Sequence, residues 1–425
     1  MSERILARPE TGRRARARAA LWIAAALLLF ALPHLFTSSF GRTLLTEMGI
    51  AITFALSYNV LLGQTGMLSF GHAVYFGLGG YTAIHVLRWI AAGLPLPVAL
   101  LPLAGGLGGL AFGLLFGALS TRRAGTAFAM ITLGLGELVV ALALIFDAVF
   151  GGEEGISGNR TSGPSVFGLT FGPDIQVYYL VAAWMIASVA LMRAFARTPV
   201  GRLCNAVRDN PERVQFVGYD PARIHLIAFA LSSFFAGVAG GLYAVNYELM
   251  AINSLGAERS ALVLLMAYIG GIGSFAGPIL GAVLVTFLSV ALSNYTQAWL
   301  LYLGLFFVLV VLFAPKGLAG LLAMHGPVAR AGLLPRLAPA YLLSAVPALM
   351  TFLGVVALVE INYRLSIRPE LGSQMSLFGV GFEATSATAW IVSLGLVAAG
   401  VLGLRLAAPM VAARWAETLE AARAS

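Results

Sequence analysis

Apolar runs close to twenty residues long follow one another along most of this chain, separated by short connections carrying glycine, proline or arginine. Runs of that length cross the hydrocarbon of a bilayer as helices. The pattern predicts crossings at about 20–37, 44–62, 66–88, 95–119, 126–149, 177–196, 224–247, 259–272, 277–293 and 298–314, with two more at 340–361 and 385–405. A polar, glycine-rich loop, GGEEGISGNRTSGPS, follows the fifth run, and the longest basic connection, 197–223, follows the sixth. The fold class that results is an all-α integral membrane protein. A basic segment, 1–19, precedes a ten-helix core over about 20–320, and 325–425 adds a two-helix extension.

Composition removes the soluble alternative. Of 425 residues, 60% are hydrophobic and 10% charged, whereas soluble domains carry about 25% charged residues. The formal charge of +8 comes almost wholly from arginines parked between apolar runs. Arg4, Arg8, Arg13, Arg14, Arg16 and Arg18 precede the first run, which puts the N-terminus on the cytoplasmic side. Alternation then places Arg122, Arg123, Arg193 to Arg223, Lys316, Arg330, Arg336 and Arg405 to Arg423 on that side too. Twelve crossings satisfy the rule; an odd number does not. No basic stretch is interleaved with base-stacking aromatics, so nucleic acid is not an expected partner. The first run is a retained helix, because ALPHLFTSSF offers no small-x-small cleavage site.

Several kinds of chemistry are missing from the sequence. Lys316 is the lone lysine and follows a proline, so no phosphate-cradling G-x-x-x-x-G-K-[ST] loop exists. His34, His72, His85, His225 and His325 lack metal-ligand spacing, and the single cysteine, Cys204, excludes an intrachain disulfide. Neither an enzyme, a cofactor nor a metal is expected. A carrier or an anchor remains.

Two features favour the carrier. The first is NVLLGQTGMLSFGHAVYFGLGGYTA, Asn59 to Ala83, where glycines accompany Gln64, Ser69 and His72. Glycine permits close helix contact in lipid, and it also permits a broken helix whose freed backbone groups face a cavity. The stretch therefore reads either as packing alone or as the lining of a translocation path. AYIGGIGSFAGPILGAVL, 267–284, repeats the recipe, and paired interruptions of this kind point to an inverted repeat with a central pathway. Glu137, in the middle of the fifth run, must face protein or water, as helix glue or beside the path.

The second feature lies within 197–223. Asp209-Asn210-Pro211 is a helix start, Gly218 a stop, and Asp220-Pro221 a second start leading into the next crossing. A short, capped, charged helix between two crossings suits docking by a soluble partner; an amphipathic linker at the headgroups is the plainer reading.

GQTGMLSFGHAVYFGLGGYTA (63–83), TAFAMITLGLGELV (126–139), FGGEEGISG (150–158), GRLCNAVRDNPERVQFVGYDPARIHLIAFALSSFFAGVAGGLYA (201–244), GGIGSFAGPILGAV (270–283) and APKGLAG (314–320) together resemble the permease subunit of bacterial branched-chain amino acid importers of the ATP-binding-cassette class. The likeness runs in order over roughly 40–320. It implies a multi-pass protein of the bacterial inner membrane that moves branched-chain amino acids inward. It also implies cytoplasmic ATPase subunits that bind the ATP, a second permease subunit and a periplasmic binding protein. Arg208, Asp209, Asn210, Glu212, Arg213, Gly218 and Asp220 fall where such permeases place the helix that couples to the ATPase. The loop departs from the Glu-Ala-Ala form of other importers, with Cys204-Asn205-Ala206 instead. Urea or a short amide is the alternative cargo, and a self-sufficient secondary transporter or channel is the alternative class. Residues after about 325 exceed the family's usual length.

Overall fold

The computed structural model describes residues 9–164, 168–367, 370, 372–377 and 379–424. It divides into two compact units, one comprising Met1–Val290 with Val310–Leu318 and the other Ala291–Leu309 with Ala319–Ser425. The first unit opens with α1 (Pro9–Leu35), α2 (Ser39–Thr65), α3 (Ala73–Ala91), α4 (Leu101–Ser120), α5 (Thr126–Ile145) and the single turn α6 (Asp147–Phe150). It continues with α7 (Asp174–Phe195), α8 (Pro199–Asp209), α9 (Pro211–Phe216), α10 (Pro221–Tyr247), α11 (Ala257–Gly270) and α12 (Gly277–Ser293). Then come α13 (Trp299–Phe313), α14 (Gly317–Arg330), α15 (Ala338–Ser366) and α16 (Ala387–Ala424).

Among the described residues, seven helices are long and apolar enough to cross a membrane, or eight if α13 and α14, bent by 47°, count as one span. The crossings expected at 66–88, 259–272 and 277–293 fall on α3, α11 and α12, which have 19, 14 and 17 residues. The expected run from 66 is corrected in one respect: α3 begins only at Ala73, and 67–72 is not helical. Gly66, at φ 74°, closes α2 in the left-handed conformation that glycine adopts without steric cost. The chain then doubles back beside α2 before turning helical again. Hydropathy sees an apolar run there and cannot see that part of it is not helical. The segment after the tenth expected crossing contains a further helix, α14.

At the centre of the first unit α10 lies against α2, α3 and α4. Glycines make that approach possible. Gly79 and Gly105 both meet Gly237 backbone to backbone, Gly109 meets the Ser233 carbonyl, and Gly240 meets the Phe76 carbonyl. A side chain at any of these contacts collides with main chain, so the helices are held by close van der Waals contact rather than by interdigitated side chains. The glycine stretch 267–284 serves the same purpose at the α11–α12 turn, where Gly281 meets Met266 and Gly271 meets Lys316.

On the side opposite the arginine-rich connections, β1 (Ile156–Ser157) pairs antiparallel with β2 (Leu249–Met250). Arg160 fastens this loop. Its backbone amide donates to Glu248 at 2.6 Å, and its guanidinium donates to the carbonyls of Phe171 at 2.7 Å, Asn246 at 3.0 Å and Gly172 at 3.0 Å. From β2 the chain returns along α3, with Met250 against Gly80 and Leu255 against Gly77, before α11 begins.

In the second unit α15 and α16 form an antiparallel hairpin with Gly354 against Val397 and Gly400 against Pro347. A β-hairpin, β3 (Gln374–Leu377) with β4 (Val380–Glu383), joins their far ends. Tyr302 donates to Glu360 at 2.9 Å and Tyr363 to Gln297 at 3.1 Å.

Candidate functional site

The chain from Met67 to His72 lies inside the helical core of the first unit. Ser69 and His72 are fully buried. Tyr58 on α2 donates to the Ser69 carbonyl at 2.9 Å, and the Phe70 amide donates to Thr132 on α5 at 3.2 Å. The Ala73 amide, first in α3, donates to Ser260 on α11 at 3.0 Å. Three helices therefore supply what a non-helical backbone needs away from water. Gly71 sits directly on the Thr132 carbonyl, which a Cβ could not do.

His72 is the anchor of this segment. Its Nε2 lies 3.0 Å from Ser57 Oγ, its ring stacks on Phe54 at 5.5 Å, and it meets Tyr58 edge-on at 5.1 Å. Ser232 on α10 donates to the Ser57 carbonyl at 2.6 Å. The other polar atoms are left over. Ser69 Oγ, His72 Nδ1, Gln64 Oε1 and Asn59 Oδ1 are buried without a hydrogen-bond partner. Each such group costs about 1–3 kcal/mol, a cost relieved when water or a polar solute reaches it.

Of the path residues expected from sequence, Gln64, Ser69 and His72 gather here. Glu137 does not: it lies on the exposed face of α5, whose buried face carries Thr132, Gly136 and Val139.

The basic connection forms two helices at an angle. Thr198 caps α8, Asn210 accepts from the Arg213 amide at 2.9 Å to cap α9, and Asp220 accepts from the Ala222 amide at 3.0 Å to cap α10. Gly218 has φ 92° with open space around it. Underneath, Cys204, Val207, Val214, Ile224 and Ala228 form a small separate core, and burial pushes the Cys204 thiol up to about 11. Asp209, Glu212 and Arg213 are exposed. Arg208 turns inward instead: its Nη1 donates to the Gly63 carbonyl at 2.5 Å while Nη2 contacts Asp209 at 3.1 Å. Gly63 belongs to the last turn of α2, where carbonyls lack helical partners. The basic loop is thus bonded to the start of the broken segment.

Sequence reasoning missed two groups. Phe216, Val217 and Tyr219 are 91%, 70% and 49% exposed at the tip of the loop; three large apolar residues around a helix stop were the available signal. Arg259, third in α11, lies between the rings of Phe76 and Tyr243, at 4.4 and 4.3 Å. Nothing in the local sequence reveals that placement. Among the described residues no group of histidine, cysteine, aspartate or glutamate is arranged to hold a metal.

A multi-pass helical membrane protein whose buried polar segment between α2 and α3 is hydrogen-bonded to an exposed basic loop has an architecture compatible with a transport permease. The comparisons make this specific. Residues 40–315 match the family "branched-chain amino acid transport system / permease component", and the chain belongs to it. It is 32% identical to the high-affinity branched-chain amino acid transport system permease protein LivM of Salmonella typhimurium, over 69% of this chain and 73% of that one. Identity to LivM of Escherichia coli is 31% over the same shares. A probable LivM of Methanocaldococcus jannaschii is 23% identical over 65% of this chain and 92% of its own length. No solved structure matches.

Proposed function

We propose that this chain is the membrane-spanning subunit of an ATP-driven importer that carries branched-chain amino acids across the bacterial inner membrane to the cytoplasm. A separate ATPase drives it and a periplasmic binding protein delivers the cargo. The observation that carries the reading is the continuity from the exposed apolar tip Phe216–Tyr219, through α8, to the Arg208–Gly63 hydrogen bond at the edge of the closed segment. A partner that seats the tip and moves it pulls on the end of α2, and Ser69 and His72 then meet water. The names of the relatives support the cargo. Glu137 belongs on the face that meets a second permease subunit, because a carboxylate in mid-span is costly against lipid. The test is co-purification of the chain with its ATPase, followed by uptake in proteoliposomes containing the binding protein. Leucine uptake that requires ATP supports the proposal. ATP-independent uptake, or uptake of urea and short amides alone, refutes it.

A further inference from the structure

The 3-10 turn Leu334–Arg336 leads into α15, and the C-terminal third of α16 passes beside it. Between them lies a cavity of about 390 Å³ lined by Arg336, Pro339, Arg414, Glu417 and Thr418. Glu417 contacts Arg414 at 3.1 Å, and the Thr418 hydroxyl donates to the Arg414 carbonyl at 2.6 Å. Both arginines are exposed, and among the described residues Arg336 pairs with no carboxylate. Two guanidiniums against one carboxylate leave the lining with a single net positive charge. The surroundings belong to a membrane boundary. With 38 residues α16 is about 57 Å long at 1.5 Å per residue, against about 30 Å of hydrocarbon, so its end stands outside the apolar layer. Beside the cleft, Tyr341 accepts from Trp415 Nε1–H at 3.0 Å and lies 2.7 Å from His325 Nε2, and amphipathic rings of this kind collect at the membrane–water interface. Arg336 and Arg414 lie on the side that the alternation of arginines assigns to the cytoplasm. Towards the bilayer the walls turn apolar. On α16, exposed Leu402, Leu406 and Met410 precede Arg414 at intervals of four, a row that runs down the helix from it. On α15, exposed Leu342, Leu343 and Val346 follow Pro339.

We propose that this cleft binds the headgroup of an anionic phospholipid of the cytoplasmic leaflet, Arg336 and Arg414 taking the phosphate oxygens and the apolar rows taking the acyl chains. The planar fork of a guanidinium matches two phosphate oxygens at once, and basic pockets between helices on this side of a membrane are where lipid headgroups are recognised. The single net charge selects among phospholipids. A phosphodiester without an ammonium brings one negative charge and completes the lining. A choline headgroup brings its own cation, which competes with the arginines for the phosphate. The cleft lies wholly outside residues 40–315, the part that matches the permease family, so this inference stands apart from the transport reading.

The test titrates the full-length chain in detergent with phosphatidylglycerol or phosphatidylcholine and counts bound lipid by native mass spectrometry. Phosphatidylglycerol should bind about tenfold more tightly than phosphatidylcholine; equal binding of the two overturns the site. Arg336→Gln and Arg414→Gln should each remove most of that preference. Arg330→Gln and Arg423→Gln, which alter arginines of the same side outside the lining, should keep it. A preference that survives both lining substitutions overturns the proposal. So does its loss in all four variants, the mark of unspecific charge at the interface. Inorganic phosphate at millimolar concentration tests the other source of the same chemistry: phosphatidylglycerol that stays bound supports a lipid site, and complete displacement makes the ligand a free anion and overturns it. Should the arginine variants fail to fold, Glu417→Gln removes the opposing carboxylate and should tighten phosphatidylglycerol binding about threefold. Unchanged or weaker binding in that variant overturns the proposal.

Discussion

Replacing Arg208 by alanine tests whether the loop and the broken segment act as one device. The guanidinium caps the free Gly63 carbonyl at the end of α2, and its stem lies against Gly66. A cation at a helix C-terminus also meets the negative end of the helix dipole. A hydrogen bond from a charged donor contributes about 1.5–3 kcal/mol. The Arg208 side chain is 40% exposed, so water competes and the lower figure, about 1.5 kcal/mol, applies. That is roughly a tenfold change in any equilibrium the bond biases. Arg208→Ala should therefore lower the number of leucine molecules imported per ATP hydrolysed about tenfold, with hydrolysis itself retained. Arg208→Lys, which keeps a point charge but loses the fork, should fall between. The assay is parallel measurement of uptake and phosphate release in proteoliposomes. A wild-type ratio in an assembled Arg208→Ala importer would falsify the mechanical link.

Four further outcomes follow from the same geometry. Gly218→Trp should abolish uptake while the protein still inserts, since the surrounding space is open and only a docked partner meets the ring; normal uptake removes the loop from the coupling role. With Cys204→Ser as background, cysteines at Ser69 and His72 should resist small aqueous thiol reagents at rest, because both sites are fully buried, and react during ATP turnover; reaction at rest or never contradicts a gated path. Native Cys204, with its thiol pushed up to about 11, is ionised in roughly one molecule in a thousand at pH 8, so its alkylation should be negligible there and accelerate as pH rises toward 11. The sign for stability is the same: the folded state favours the neutral thiol, so this contribution is lost as pH climbs from the unfolded thiol's value through the folded one. Truncation after Arg330 removes α15 and α16 and with them the Glu360 acceptor of Tyr302 and the Tyr363 donor to Gln297; we expect more than half of wild-type uptake with a lowered unfolding temperature, and an assembled but inactive protein would place the hairpin in the mechanism.

The sequence was most informative where a feature has local grammar. Asn210, Gly218 and Asp220 announce their helix ends through cap and stop chemistry, and the structure forms α9 and α10 beside them. The apolar runs likewise announce the long helices. Local grammar fails where one apolar run changes conformation partway. Nothing in MLSFGH separates non-helical chain in a protein interior from another turn of helix; the decision is made by Tyr58, Thr132 and Ser260, three residues on other helices that accept or donate its backbone hydrogen bonds. Arg259 was hidden for the same reason, because counting crossings assigns sides but not depth. Glu137 was flagged correctly as an unusual charge in mid-run, yet its exposed position on α5 depends on a packing face that only the assembled helices define.

Arg160 gives the outer loop a particular economy. One side chain and its own amide collect the loop, the end of α10 and the approach to α7 into a single knot. A surface knotted at one point offers a visiting protein a fixed shape, so recognition there resembles a key meeting a cut lock and needs no folding of the loop upon contact. The same knot is a single point of failure. Losing Arg160 frees several strands of chain at once, and proteases added from that side should find cleavable chain where the intact protein presents none.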